Sequence, residues 1–261
     1  MVIDSLKTLY RYRDLLIMWT LREIKVRYKQ SVLGAAWAVL QPVALMLTFT
    51  LLFSVFAQVP SEGVPYPIFS YTALVAWTFF STSLTFAIPS LVNSLNLVTK
   101  VYFPREILPL ASVGAAFVDF AVASVVFVAL LLWYQVPPSW ALLWVPFLIL
   151  LQVVLVLGVV LPSAAINVFY RDVRFIVPVA LQLWLYATPI IYPIQMVPSA
   201  LRPLYALNPM VGIVDSYRRV ILHGQMPELG YLSISAVVSV FLFAVGYLYF
   251  KHAEGVFADV I

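Results

Sequence analysis

The sequence predicts an all-α integral membrane protein with six transmembrane helices, an amphipathic interface helix ahead of them, and re-entrant helices before the last span. Three observations carry that expectation. Of the 261 residues, 64% are hydrophobic and only 10% are charged, whereas a soluble domain has about 45 to 50% apolar and about 25% charged residues. Apolar runs recur at the length of a bilayer crossing. Lys and Arg are sorted unevenly between those runs. The mean hydropathy of +1.01 leaves too little polar surface for a large extramembrane domain. The expected organisation is a cytoplasmic interface helix and basic segment over 1–32, followed by a six-helix transmembrane domain over 33–261.

Residues 4–19 place Leu6, Leu9, Tyr10, Leu16, Ile17 and Trp19 at mostly helical spacing, interrupted by Lys7, Arg11, Arg13 and Asp14. That pattern suits a helix lying in the headgroup plane. LREIKVRYKQS at 21–31 adds Arg22, Lys25, Arg27 and Lys29 just before the first long apolar run. It is expected on the cytoplasmic face, with no cleavable signal ahead of it.

A hydrocarbon core about 30 Å thick takes roughly 20 helical residues at about 1.5 Å each. Candidate spans fall near 33–57, 69–91, 108–134, 140–167, 175–192 and 231–250. Prolines at 42, 89, 146, 162, 178 and 189 predict kinks or broken turns near span ends, since proline lacks the ladder donor. With six crossings and the N-terminus inside, twelve Lys and Arg fall on the inner side and only Arg202, Arg218 and Arg219 on the outer. That split follows the positive-inside tendency and places both termini in the cytoplasm.

The three exceptions share one region, 193–230, too long for a hairpin and too apolar for an ordinary loop. It reads as one or two external re-entrant or interfacial half-helices. The rival is a seventh crossing within 204–222. Asp215, Arg218 and Arg219 make it costly, at about 2.5 to 3.5 kcal/mol for each charge near a span's centre.

There is no cysteine, and no metal-ligand cluster or hydrolase motif. None of the five lysines stands in a G-x-x-x-x-G-K-[ST] phosphate loop. If the protein works against a gradient using ATP, another subunit must bind the nucleotide and its Mg, and this chain binds no cofactor. Asp119 is the one acid clearly inside a long span. It reads first as a structural acid bonded across helices or near a basic loop, with a proton or substrate site as the alternative. Three cytoplasmic segments combine basic and aromatic residues: 21–31, LVTKVYFPREILP at 97–109 and NVFYRDVRFIVP at 167–178. They read equally as contacts for a soluble partner and as snorkelling anchors that set topology. Most tryptophans read as interfacial belt or packing residues, and a few would suit a route for sugars.

Taken in order, LREIKVRYKQSVLGAAWAVLQP at 21–42, KVYFPREILP at 100–109, NVFYRDVRFIVP at 167–178, ATPIIYP at 187–193 and LNPM at 207–210 carry a resemblance. The chain resembles the membrane subunit of type-2 ABC exporters for polysaccharide, O-antigen, capsule or teichoic acid. The resemblance implies six spans with both termini cytoplasmic in the inner membrane, two copies of an ATPase subunit, and a second copy of this chain. It also implies a polyprenyl-diphosphate-linked glycan as cargo, lipids around it, and no nucleic acid. A coupling helix is implied near 93–106, with a second cytoplasmic contact at 167–175. Glu23, Tyr102, Arg105, Glu106, Arg171 and Asp172 are the expected coupling residues. Tyr192, Pro193, Asn208, Pro209, Arg218 and Arg219 are expected at an external gate. The clustering of Arg22, Arg27, Lys29, Lys100 and Arg105 marks them as candidates for the lipid diphosphate. Rival readings are a drug or lipid efflux permease on the same frame, an ion-coupled carrier, and a structural scaffold.

Overall fold

A computed structural model describes residues 2–29, 33–95, 97 and 101–257. Lys100 and part of the expected coupling helix lie outside the described residues. The fold is all-α. Helices α1 (Val2–Arg11) and α2 (Arg13–Tyr28) precede α3 (Trp37–Phe49), which continues through a π-helical stretch, Thr50–Phe56. Then come α4 (Tyr66–Ala87), the short α5 (Ser90–Asn93), α6 (Ile107–Trp133) and α7 (Val145–Phe169). The chain ends with α8 (Val173–Tyr186), α9 (Arg202–Ala206), α10 (Pro209–Ile221) and α11 (Leu229–Ala253).

Among the described residues, four helices are long and apolar enough to cross a membrane: Trp37–Phe56, Ile107–Trp133, Trp140–Phe169 and Leu229–Val256. This corrects the expected six. The run at 69–91 folds as α4, in which sixteen of 22 residues are buried. Its Ser and Thr residues lower its hydropathy, and several bond back to its own backbone, as Thr72 does to the Ile68 carbonyl at 2.7 Å. The helix takes its place by packing on α6, α3, α7 and α10. The run at 175–192 yields only the 14 residues of α8, which rise about 21 Å and fall short of the core thickness.

The expected amphipathic interface helix over 4–19 is also corrected. The helix breaks at Tyr12, and α2 runs on to Tyr28 with its apolar and basic residues not sorted to opposite sides. Instead of lying free on a surface, α2 packs along α6, where Gly114 leaves room for Thr20; a Cβ there would sit 3.1 Å from the Thr20 methyl. The re-entrant helices are corrected as well. Residues 193–230 form short turns, the five-residue α9 and α10, eleven of whose 13 residues are buried. That helix is a core element packed on α11, α4 and α7.

Backbone proximity fixes the remaining frame. At Gly158 of α7 a Cβ would lie 2.7 Å from the Phe243 nitrogen, and at Gly246 of α11 a Cβ would lie 2.7 Å from the Gly158 carbonyl. Small residues let helix backbones touch in this way. One end of the bundle gathers Leu91, Phe103, Ile107, Val168, Phe250 and Phe257 against Leu16 and Trp19 of α2. The other end carries Glu62, Asp215, Arg219, His223 and Glu228, joined by ion pairs.

Candidate functional site

At the α2 end, the last turn of α2 meets the middle of α6. Arg27 pairs with Asp119 through one guanidinium nitrogen, and the Tyr28 hydroxyl donates to the other Asp119 oxygen. Both members of the ion pair are nearly enclosed, with 12% and 13% of their side chains exposed. The Arg27 guanidinium also lies 4.1 Å from the centre of the Phe86 ring. These contacts give the lone acid of α6 a partner 92 residues away. The second terminal nitrogen of Arg27 is buried without a hydrogen-bond partner. Beside the pair is a cavity of 240 Å³ between α2, α3, α4 and α6, lined among others by Trp37, Gln41, Thr78 and Thr82.

The other expected headgroup residues do not converge on this point. Arg22 is exposed, stacked 4.4 Å over Trp19 and paired at 3.0 Å with Glu23. Lys29 is exposed just past the end of α2, where the backbone turns extended. Arg105 donates to the Val101 carbonyl at 2.8 Å and lies 5.0 Å over Phe103.

Of the expected coupling residues, Tyr102 is 92% exposed, and Arg171 and Asp172 are exposed at the turn between α7 and α8. Glu106 is buried. Lys251 of α11 donates to Glu106 and, at 2.8 Å, to Glu254, whose other oxygen accepts the Arg105 backbone N–H at 2.9 Å. Burial pushes the Glu106 carboxyl above its ordinary range, and the Lys251 ammonium pulls against that shift. This cluster clasps the segment before α6 to the end of α11.

At the opposite end the expected gate residues do meet. Arg218 is 3% exposed and lies 3.6 Å over the Phe69 ring. It donates to the carbonyls of Pro189 and Ile190, both at 2.6 Å, and at longer range to those of Phe69 and Tyr192. The carbonyls of 189–192 lie where α8 has ended and the chain turns, and that of Phe69 belongs to α4. Pro193 is buried beside them. The Tyr192 hydroxyl is 3.1 Å from that of Tyr205. Asn208 caps α10 by accepting the Met210 N–H, accepts the Trp184 indole N–H at 2.9 Å, and donates to Thr188. Pro209 occupies the first turn of α10, where its missing N–H costs nothing. Arg219 turns outward to Asp215 and Glu228.

Residues 15–222 match the model of the ABC-2 type transporter family. The chain belongs to that family. As an ABC-2 type transporter chain it is a multi-pass membrane component of a transport machine and not the ATP-hydrolysing enzyme. It is 35% identical, over the whole of both chains, to the O-antigen export system permease protein RfbA of Myxococcus xanthus. It is 29% identical to the protein of the same name from Klebsiella pneumoniae, over 95% of each. It is also 21% identical to the polysialic acid transport protein KpsM of Escherichia coli, over 85% of this chain and 88% of that one.

In this ABC-2 type chain several polar residues escaped the sequence reading. Lys251 and Glu254 had a signal, since they are charges beside a span end. Gln152 donates to the Ala76 carbonyl at 2.7 Å and accepts from Tyr217 at 3.1 Å. A glutamine within an apolar run is such a signal. Gln41, Thr78 and Thr82 had none, because hydroxyls and amides near span ends are common.

Proposed function

We propose that the chain is the membrane-spanning subunit of an ATP-driven exporter that moves a polyprenyl-diphosphate-linked polysaccharide outward across the inner membrane. The observation that carries this reading is the end-to-end similarity to an O-antigen export permease. The α2 end of the bundle, rich in Arg and Lys, faces the cytoplasm in this reading, and both termini lie on that side. A separate ATPase subunit, in two copies, binds ATP and Mg and contacts Tyr102, Arg171 and Asp172. Their exposure at one end supports that assignment. Glu106 acts indirectly, by holding the 101–106 segment to α11. A second copy of this chain completes the conduit.

The lipid diphosphate is drawn to Arg22, Lys29, Lys100 and Arg105, since Lys and Arg attract such anions. Arg27 contributes less, because its charge is already met by Asp119. Arg218 and Asn208 brace the outer end of the route. Deleting the gene is expected to trap glycan inside the cell, with surface glycan restored only when this chain and its ATPase are supplied together. Normal surface glycan in the deletion strain would sink the reading.

A further inference from the structure

The cavity beside Arg27 carries polar groups that the fold does not use. Four of the seven Ser and Thr hydroxyls of α4 bond to their own helix: Ser70 to Pro67, Thr72 to Ile68, Ser81 to Thr78 and Thr85 to Ser81. Thr78 and Thr82 make no such bond among the described residues, and both line the cavity. One helical turn apart, they present two hydroxyls on the same face of α4. The Gln41 amide and the Trp37 indole N–H, on α3 across the cavity, are likewise unbonded among the described residues. The second terminal nitrogen of Arg27 is buried behind the cavity wall. The walls include the rings of Trp37, Phe79, Phe86 and Phe120.

Two features of this set select a ligand class. Hydroxyls and an amide both donate and accept, so the cavity matches a molecule that alternates donors and acceptors around a ring. Aromatic faces suit the C–H surface of the same ring. Charge argues against a phosphate. Asp119 neutralises Arg27 within the site, and an anion would meet that carboxylate without a compensating cation.

We infer that the cavity bounded by Trp37, Gln41, Thr78, Thr82 and the Arg27–Asp119 pair is a binding subsite for one neutral sugar ring. The inference deepens the glycan-export reading and rests on it for the source of the sugar. It separates two tasks: exposed Arg22 and Lys29 meet the charged lipid head, while the neutral cavity holds a sugar of the attached chain. Arg27 is a positioning residue here: paired with Asp119, it holds one wall of the cavity in place.

The test uses the full exporter, chain plus ATPase, purified in detergent. Trp37 emission is followed while free hexoses, N-acetylhexosamines or inorganic phosphate are added, with Trp37→Phe as the probe control. A saturable change with at least one neutral sugar and none with phosphate is expected. Thr78→Val/Thr82→Val and Gln41→Leu should each weaken that binding at least tenfold, with melting temperature and basal ATPase rate kept. Saturation by phosphate, no response to any sugar, or unaltered sugar binding in both variants would overturn the subsite. Surface glycan measured in parallel separates the two ideas. Export without sugar binding removes the subsite alone, whereas sugar binding without export keeps the subsite and removes the transport reading.

Discussion

Two arginines are enclosed at opposite ends of the bundle, and the protein satisfies them in different ways. Arg218 gives its donors to backbone carbonyls from two stretches of chain, α4 and the turn after α8. Arg27 is met by a carboxylate that also accepts from Tyr28, keeps one nitrogen unbonded, and borders open space. A guanidinium spent on carbonyls closes a break in the backbone. One that is held by an acid beside a hollow leaves room for a ligand. Buried arginine therefore marks architecture at one end and a binding place at the other, and local satisfaction distinguishes them.

The largest expected effect breaks the architectural half of that contrast. Arg218→Met leaves at least two buried carbonyls without donors, at about 1 to 3 kcal/mol each, and should cost about 3 to 5 kcal/mol in unfolding followed in detergent micelles. Arg218→Lys should recover only part, since an ammonium lacks the planar fork that reaches several carbonyls together. Wild-type stability in Arg218→Met would erase the distinction. Next in size, Asp119→Ala strands the Arg27 charge and should cost about 2 to 3 kcal/mol, near the lower range for broken buried pairs. The double change Arg27→Met/Asp119→Leu should restore most of it. No single partner substitution can rescue Arg218, because its acceptors are main-chain atoms, so success of one rescue beside failure of the other sharpens the contrast. The smallest effect is at the half-exposed Glu228. Glu228→Gln removes one of two partners of Arg219 and should cost no more than about 1 kcal/mol, shrinking as salt is added.

The contrast also explains which parts of the fold could be read from the chain. Four spans were legible because each is an apolar run facing lipid, a surrounding that hydropathy reports directly. α4 was misjudged as a fifth, since an apolar helix enclosed by protein looks like one enclosed by lipid, and only its hydroxyls hinted otherwise. For 175–192 the apolar run was real, but ATPIIYP ends the helix at Tyr186 and sends the chain round Arg218. Arg218 itself seemed an awkward outer charge; its acceptors on Pro189 and Ile190 lie 29 and 28 residues earlier, beyond any periodic signal. The pairing of Asp119 with a basic segment was anticipated in kind, though Arg27 and Tyr28 as its partners were not. The cavity was invisible, because its hydroxyls become unusual only when their neighbours on α4 are seen to be bonded.

The close approach of α7 and α11 has a mechanical consequence. Where Gly158 and Gly246 bring two backbones into contact, the helices cannot part without opening a void along the seam, nor slide without driving main chain into main chain. The pair must travel as a single stiff blade, and the Lys251 clasp gives that blade a handle on the segment before α6.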